Sequence, residues 1–315
     1  MALAGQALDR SSQTIMAPIS VIIPTYNHAR FLASAIDSAL SQTLKPSDVI
    51  VVDDGSTDGT SNVLEAFEGK VRVVRQKNQG VAAARNSGVE MATADYLAFL
   101  DADDVWLPRK LEMQLNRFRA EPGLGLVHCG LEQIDEDNRT LGRSVDGMEG
   151  SVADEMLLFI RSTILGGGSG AMMPRAVFQE AGKFDERLST SADWDLYYRI
   201  ARKYKIGFVP HVLLQYRLHG TNMHGSVRAM EHDMLLAYSK AFLSADDVDL
   251  PEQRRCLGNL HKVLAGSYFS TGERLGFLRN ALKSVILTPD NITYFAQYPV
   301  RRRRRKSLTS AARAT

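Results

Sequence analysis

Short apolar runs alternate with segments of helical spacing over the first third of the chain. Four runs are typical of buried strands, at 19–23, 49–52, 71–74 and 96–100. Three segments between them place apolar residues on one helical face, at 29–42, 58–67 and 81–91. Because this alternation is typical of βαβ units, we expect an α/β fold whose mostly parallel, Rossmann-like sheet is flanked by helices.

The second half of the chain is less regular. Its glycine-rich segment 166–170 predicts a flexible or close-approach loop, and a helix at 193–201 and a strand at 206–214 follow. From about residue 228 onward the spacing is helical. We therefore expect four regions: a flexible leader at 1–17, an α/β domain at 18–222, a helical C-terminal extension at 223–298 and a disordered basic tail at 299–315.

Charge is distributed unevenly along the sequence. The 315 residues include 38 Lys and Arg against 36 Asp and Glu, and six of the cations form the run Arg301–Lys306. Because the rest of the chain is mildly acidic, we expect no nucleic-acid partner for it. Two interpretations of the run stay open, a solvated end and peripheral contact with anionic lipid headgroups.

The sequence also indicates a compartment. It contains no apolar stretch of about 18 residues, which a transmembrane helix requires, and its start lacks the pattern of a signal peptide. Its two cysteines, Cys129 and Cys256, have no metal-like spacing and are typical of a reducing compartment. We expect a cytoplasmic protein, at the inner face of the membrane if the basic run binds lipid.

Polar clusters directly follow three of the predicted strands. They are Thr25-Tyr26-Asn27, Asp53-Asp54 and Asp101-Ala102-Asp103. Ligands bind at the carboxyl ends of parallel strands, so these clusters should converge on one rim of the sheet. In an extended chain Asp101 and Asp103 share a face, which suits Mg²⁺ or Mn²⁺. The alternative is a solvated acidic turn, or a cap for a helix that starts near Pro108.

The other two clusters have similar alternatives. Asp53 or Asp54 is a candidate acceptor for a base or ribose, or part of a turn that leads to a helix cap at Asp58. Tyr26 is a candidate to stack on a nucleobase, or a packed side chain of no special function.

Four motifs occur in order at βαβ spacing. They are Pro24-Thr25-Tyr26-Asn27, Asp53-Asp54-Gly55-Ser56-Thr57-Asp58, Asn78-Gln79-Gly80 with Ala84-Arg85-Asn86-Ser87-Gly88, and Asp101-Ala102-Asp103-Asp104. Together they resemble the family-2 glycosyltransferases of GT-A fold, over residues 19–220. The resemblance implies that Tyr26 and Asp54 hold the nucleobase and that Asp103 bridges a metal to the diphosphate. It implies a nucleotide-sugar site formed by Pro24, Thr25, Tyr26, Asp53, Asp54, Asn78, Arg85 and Asp101.

Two further segments extend the resemblance. Gly182-Lys183-Phe184-Asp185-Glu186 is similar to a Gly-Gly-Phe-Asp-Glu segment of the family, with Lys183 in place of the second glycine. Ala192-Asp193-Trp194-Asp195-Leu196 is similar to a Glu-Asp-x-Asp-Leu segment whose first aspartate is the catalytic base, which implies Asp193. Ala192 replaces the family's glutamate, which affects how an acceptor is positioned. Asp193 has a second interpretation, as the cap of the helix that follows.

A last segment, Tyr216-Arg217-Leu218-His219-Gly220-Thr221-Asn222, resembles the element that closes over the diphosphate. Arg217 or His219 would touch phosphate or metal there, so that Asp101, Asp103 and His219 are the candidate metal ligands. A surface histidine is the alternative for His219.

The resemblance implies an inverting, metal-dependent transfer of a sugar from a nucleotide-diphosphate sugar to the hydroxyl of a saccharide or lipid-linked acceptor. The metal would be Mn²⁺ or Mg²⁺, and Asp193 the general base. A nucleotidyltransferase and a catalytically inactive nucleotide-sugar-binding protein stay as alternatives. A base at Asp193 separates the glycosyltransferase from the nucleotidyltransferase, which needs no such base.

Overall fold

The computed structural model describes residues 17–220, 226–244 and 247–297. Residues 1–16 of the predicted leader, part of the predicted boundary near 222, and the basic tail at 299–315 lie outside the described residues. The predictions made for those segments stay predictions.

A single curled sheet runs through the described part of the chain. Its strands are β1 Ala17–Thr25, β2 Pro46–Asp53, β3 Arg72–Arg75, β4 Tyr96–Phe99, β5 Val105–Trp106, β6 Leu124–Ile134, β7 Thr140–Ser144, β8 Met172–Pro174 and β9 Lys205–Arg217. Across the sheet the strands are ordered β3-β2-β1-β4-β8-β6-β9-β5, and β7, which is outside this order, pairs with β6. The α/β class predicted from the sequence is confirmed.

The strand directions divide the sheet into two halves. Strands β3, β2, β1 and β4 pair in parallel, as the βαβ pattern predicts. The short strand β8 then pairs antiparallel with both β4 and β6, and β6 pairs in parallel with β9. The sheet is therefore parallel around β1 and mixed beyond β4. In the mixed half, the sequence predicted only one strand, at 206–214, which corresponds to β9.

Helices cover both faces of the sheet and form the C-terminal region. They are α1 Ala29–Leu40, α2 Thr60–Glu65, α3 Val81–Met91, α4 Lys110–Ala120, α5 Ala153–Leu158, α6 Gly167–Gly170, α7 Arg175–Glu180, α8 Ala192–Ala201, α9 Val227–Ser244, α10 Leu250–Ser270, α11 Arg274–Leu287 and α12 Ile292–Ala296. The predicted helical extension is confirmed, while the glycine segment 166–170, predicted as a loop, forms the one-turn helix α6. Within the described ranges, no helix combines the length and apolarity needed to cross a bilayer.

Two apolar cores lie on opposite faces of the sheet, because side chains of a strand alternate between its faces. On β1, Ile22 packs into the core beneath α3 and α8, and Val21 and Ile23 pack into the core beneath α1 and α4. The C-terminal helices join the first core through Tyr238 of α9, whose ring stacks on Trp194 of α8 at 5.0 Å.

A buried histidine links β6 to the chain entering α6. The Leu165 N–H donates to Nδ1 of His128 at 3.1 Å, so the ring proton lies on Nε2, which donates to the Met148 carbonyl at 2.8 Å. Burial lowers the pKa of His128 to about 4, because the neutral ring is favoured there. Protonation of Nδ1 would remove its bond with Leu165.

Because His128 is buried in its neutral form, we expect the free energy of unfolding to fall in mild acid. In the unfolded chain His128 titrates near its ordinary pKa of about 6.5, so the unfolded state binds more protons between pH 6.5 and 4. Stability is fully present above that window and falls as the pH drops through it, by roughly 2 kcal/mol between pH 7 and 5. Urea unfolding of wild type and His128→Gln at both pH values should show a smaller pH difference for the variant. An equal difference in both proteins would contradict the assignment.

Candidate active site

Hydrogen bonds join the loops that follow β1 and β2. Asn27, in the left-handed region at φ 56°, donates its N–H to Ser56 Oγ at 2.9 Å and accepts from the Thr57 N–H at 2.7 Å. Asp58 accepts from the Ala29 N–H at 3.0 Å, so it connects the start of α1 to the start of α2. The helix α2 begins at Thr60, with Gly59 as its N-cap.

The two aspartates at the end of β2 are buried, and both accept hydrogen bonds from the chain. Asp53 accepts from the Ser56 N–H at 2.9 Å. Asp54 accepts from the backbone N–H groups of Gln79 and Gly80 at 2.9 and 2.8 Å, and from the Gln76 amide at 2.8 Å. Asp54 therefore fixes the segment 76–80, which contains Asn78.

The side chains beside these aspartates differ in exposure. Tyr26 is 44% exposed at the rim, whereas Thr25 and Pro24 are buried. The Thr25 hydroxyl has no hydrogen-bond partner in the part of the chain that the structure describes. Gly55 has φ 80°, and a Cβ there would lie 2.9 Å from the Asn78 nitrogen, so only glycine allows the two loops to approach so closely. The Tyr26 ring is therefore accessible to a ligand, and the residues next to it are buried and closely packed.

Asp101 forms a partly buried ion pair with Arg85 of α3. The Arg85 guanidinium donates to Oδ1 of Asp101 at 2.6 Å and lies 5.3 Å from the ring centre of Phe184. Burial disfavours a charged guanidinium, but Asp101 and Asp193 outweigh it and raise the pKa of Arg85. Arg85 thus stays charged between two carboxylates.

The extended geometry expected at 101–103 is wrong. These residues form a turn that the Asp104 N–H closes by donating to the Asp101 carbonyl at 3.1 Å. In a turn the side chains of residues i and i+2 need not lie on the same face, and the carboxylates of Asp101 and Asp103 have different partners here. Asp101 contacts Arg85, while Oδ2 of Asp103 lies 2.9 Å from Nε2 of His219.

Asp103 and His219 belong to a cluster that could hold a cation. Potential ligand atoms of Asp103, His219 and His28 all lie within 4.8 Å of one another. The His219 side chain is only 2% exposed, so the alternative of a surface histidine is wrong. Nδ1 of His28 is buried and has no hydrogen-bond partner among the described residues. The residues present therefore fit a divalent metal that accepts nitrogen and oxygen ligands.

Asp104 connects the acidic turn to two other elements. This fully buried carboxylate accepts from Ser169 Oγ at 2.5 Å and from the Arg217 N–H at 2.9 Å. Burial, together with the charges of Asp103 and Asp101, raises its pKa well above the ordinary value. Arg217 in turn donates to the Asp103 carbonyl at 2.8 Å. No role for Asp104 or Ser169 was predicted from the sequence, although the third acidic residue of the motif at 101–104 was a usable signal.

Helix α6 separates the acidic turn from Asp193. A Cβ on Gly168 would lie 2.4 Å from a guanidinium nitrogen of Arg85 and 3.3 Å from Oδ1 of Asp101. A Cβ on Gly167, at φ 49°, would lie 3.0 Å from Oδ2 of Asp193. The two glycines thus allow Arg85, Asp101 and Asp193 to gather around one backbone turn.

Adding a methyl group to this turn should damage the site. Gly168→Ala is expected to displace the Arg85–Asp101 ion pair and to lower the catalytic rate roughly tenfold or more, since small misplacements are costly in catalysis. The matched control is Gly142→Ala on β7, where the nearest atom to a new Cβ is 3.7 Å away. Initial rates of the two purified variants provide the test. Wild-type activity in Gly168→Ala would show that the ion pair is not needed.

Asp193 lies in the first turn of α8, two residues after the N-cap Ser191. Its Oδ1 accepts from the Trp194 N–H at 2.8 Å. The loop before α8 is held by Asp233 of α9, which accepts from the backbone N–H groups of Ser189 and Thr190 at 2.7 and 2.6 Å. Asp193 is therefore not at the N-cap position itself, and the C-terminal helices position its helix.

Asn86 of α3 holds the segment that precedes α8. Its amide donates to the Phe184 carbonyl and to Glu186 at 3.0 Å, and accepts from the Phe184 N–H at 3.1 Å. Lys183 occupies the left-handed region at φ 63°. That conformation favours glycine, which is the residue of the similar family segment at this position, and Lys183 adopts it here.

Similarity to known proteins agrees with this geometry. The family profile described as "Glycosyl transferase family 2" matches residues 20–182. An uncharacterised glycosyltransferase of Rickettsia prowazekii is 35% identical over 210 residues, 66% of this chain and 66% of that protein. The chondroitin synthase of Escherichia coli is 28% identical over 207 residues, 65% of this chain but only 29% of the synthase.

Solved structures share the fold at low identity. S. aureus TarS 1-349 in complex with UDP-GlcNAc has a TM-score of 0.60 and 18% identity over 86% of this chain and 80% of that one. The mannosyltransferase PcManGT of Pyrobaculum calidifontis, in complex with GDP-Man and Mn²⁺, has a TM-score of 0.56 and 18% identity over 86% and 87%. With the family profile over half of its length, this chain belongs to glycosyl transferase family 2, and it has the GT-A fold.

Proposed function

We propose that the rim of the sheet binds a nucleotide-diphosphate sugar and a divalent metal, and that Asp193 activates an acceptor hydroxyl. The observation that carries the proposal is the grouping around α6. The metal-competent cluster at Asp103, the Arg85–Asp101 pair and Asp193 belong to elements that meet there. A donor bound at this turn would have its diphosphate near the cluster and its anomeric carbon near a carboxylate.

For the metal, we assign Asp103, His219 and His28 as ligands. Mixed imidazole and carboxylate donors suit Mn²⁺ better than Mg²⁺, which prefers oxygen. When bound there, the ion supplies charge neutralisation for the departing diphosphate. Asp101 lies beside this group with one oxygen held by Arg85, so we assign it to the donor site and keep it as a candidate ligand.

For the nucleotide, Tyr26 provides an exposed ring for stacking on the base. Asp53, Asp54 and Asn78 belong to the loops beside it, which hydrogen bonds to the two aspartates hold in place. Arg85 retains a positive charge next to the acidic turn, where it would limit repulsion between Asp101 and the donor phosphates.

For the chemistry, we propose a single displacement with inversion. The acceptor oxygen attacks the anomeric carbon as the bond from that carbon to the diphosphate oxygen breaks, and the hydroxyl proton passes to Asp193. A positioned general base contributes about a hundredfold to ten-thousandfold to such a step. Asp193 suits the role because α8 is anchored on both sides, through Asp233 and through the Tyr197 hydroxyl, which donates to the Gly167 carbonyl at 3.0 Å.

For the acceptor, we propose a saccharide or a lipid-linked glycan in polysaccharide or glycoconjugate assembly. Two relatives named for such roles support the idea, the chondroitin synthase of Escherichia coli and a putative teichuronic acid biosynthesis glycosyltransferase of Bacillus subtilis. We assign residues 18–222 to the transferase domain and 223–298 to the helical extension that supports α8.

The released product tests this function. The protein is incubated with UDP-sugars and GDP-sugars, MnCl₂ and a mixture of saccharide acceptors, and the nucleotides are separated by anion-exchange chromatography. A glycosyltransferase releases nucleoside diphosphate. Release of pyrophosphate would favour a nucleotidyltransferase instead, and binding of a donor without any turnover would favour the inactive binding protein.

A further inference from the structure

The C-terminal helix α11 presents an apolar stripe to the outside. Leu275 is 84% exposed, Leu278 60%, Leu282 63% and Ile286 60%. The spacing of three, four and four residues places all four on one face of the helix. Large apolar side chains in such a contiguous row are uncommon on a soluble surface and indicate an interaction site.

Buried polar groups fix the orientation of this helix. Its inner face carries Asn280 and Ser284, both fully buried. The Ser284 hydroxyl donates to the Gly258 carbonyl at 2.7 Å, and the Asn280 amide donates to the Gly276 carbonyl at 3.1 Å and to Glu231 at 3.4 Å. Rotating the stripe inward would leave these groups unpaired or exposed, so α11 is built to keep its apolar side out.

Basic side chains border the stripe. The helix contains Arg274, Arg279 and Lys283 and no acidic residue, although Arg279 is paired with Glu231 of α9 and Glu273 lies at the N-cap. At 100° per residue, Arg279 and Lys283 follow one border of the stripe and Arg274 the other. The run Arg301–Lys306 follows in the sequence shortly after the last described residue, and adds six cations to this end of the chain.

We propose that the α11 stripe docks onto the surface of an anionic lipid bilayer. An apolar stripe bordered by Lys and Arg is the composition of helices that lie in the membrane interface, with leucines at the acyl boundary and cations at the headgroups. The 14 residues of α11 span roughly 21 Å, enough to lie in the plane of the interface.

Charge argues against a second copy of the chain as the occupant. A two-fold contact places the same surface on both sides, so the stripe of one copy would face that of another. The borders would then bring Lys283 near other cations, and the helix has no acidic residue to compensate, since Glu231 of α9 already pairs with Arg279. Anionic headgroups are complementary to the same borders.

Vesicle flotation tests the proposal with the full chain. Wild type is expected to float with vesicles that contain phosphatidylglycerol at low salt, and much less with pure phosphatidylcholine. The double variant Leu278→Gln, Leu282→Gln should lower the bound fraction at limiting lipid roughly tenfold or more, since two exposed apolar side chains that would enter the bilayer are lost. The matched control, Leu243→Gln, changes an 86% exposed leucine of α9 and should float as wild type does.

Three outcomes overturn the proposal. One is wild type that stays at the bottom of the gradient with anionic vesicles at low salt. A second is a double variant that floats as well as wild type while removal of 299–315 abolishes flotation, which would assign binding to the tail alone. The third is a monomer–dimer equilibrium in sedimentation that the double variant removes, which would assign the stripe to a second copy. Circular dichroism and activity on a soluble acceptor, expected to be unchanged, show that the variants are folded and keep this test separate from the proposed function.

Discussion

Replacing Asp193 by Asn should lower kcat roughly a hundredfold or more while the donor dissociation constant changes little. The substitution keeps the size of the side chain but removes the group that accepts the acceptor proton. The amide oxygen of Asn can still accept from the Trp194 N–H, as Oδ1 of Asp193 does at 2.8 Å. The loss should therefore fall on the chemical step, and kcat and the donor affinity, measured separately, provide the check.

A control variant separates the loss of the general base from the general effect of removing a negative charge in the first turn of a helix. Asp154 lies exposed in the first turn of α5, as Asp193 lies in the first turn of α8. Asp154→Asn removes the same favourable interaction with the helix dipole and should leave kcat unchanged. If the donor affinity of Asp193→Asn collapses instead, Asp193 belongs to the nucleotide site or the scaffold, and the inverting mechanism loses its base.

Replacing Asp103 by Asn should reduce transfer roughly a thousandfold, because the metal's stabilisation of the departing diphosphate amounts to several kcal/mol. Donor binding that depends on Mn²⁺ should weaken in parallel. The fold should remain intact, since Asp103 lies in a turn after β4 and its backbone carbonyl, which accepts from Arg217, is retained.

The matched control is at the other end of the same strand. Asp95 is exposed just before β4, and Asp95→Asn should keep full activity. Rates and Mn²⁺ titrations of donor binding compare the two variants. Wild-type rates for Asp103→Asn, with an unchanged dependence on Mn²⁺, would remove Asp103 from the metal site.

The sequence predicted the first half of the fold well because its information there is local. Strand runs such as 19–23 and the helix at 81–91 carry their own periodicity, and α3 spans those same residues. The second half of the fold was harder to predict from the sequence. Strand β6 contains two glycines and lies between partners distant in sequence, and β8 has only three residues, so neither shows a clear period.

The candidate site could be predicted where motifs are contiguous and not where it depends on long-range contacts. Asp103 and His219 were named as candidate ligands from their motifs, whereas His28 was not, because a histidine at a loop–helix junction has no local signal. Only the fold brings His28 to Asp103 and to His219, the second of which lies near the other end of the domain sequence. The turn at 101–103 likewise depends on Asp104, whose partners Ser169 and Arg217 lie far along the chain.

Anomalous diffraction at the manganese edge tests the central claim most directly. Crystals grown with MnCl₂ and the nucleoside diphosphate that binds most tightly should show one strong peak within coordination distance of Asp103 and His219, about 2.0 to 2.2 Å from oxygen or nitrogen ligands. We expect His28 to be the third protein ligand. A nucleotide bound at the rim with no peak there, or with manganese held by other residues, would contradict a metal centre at Asp103.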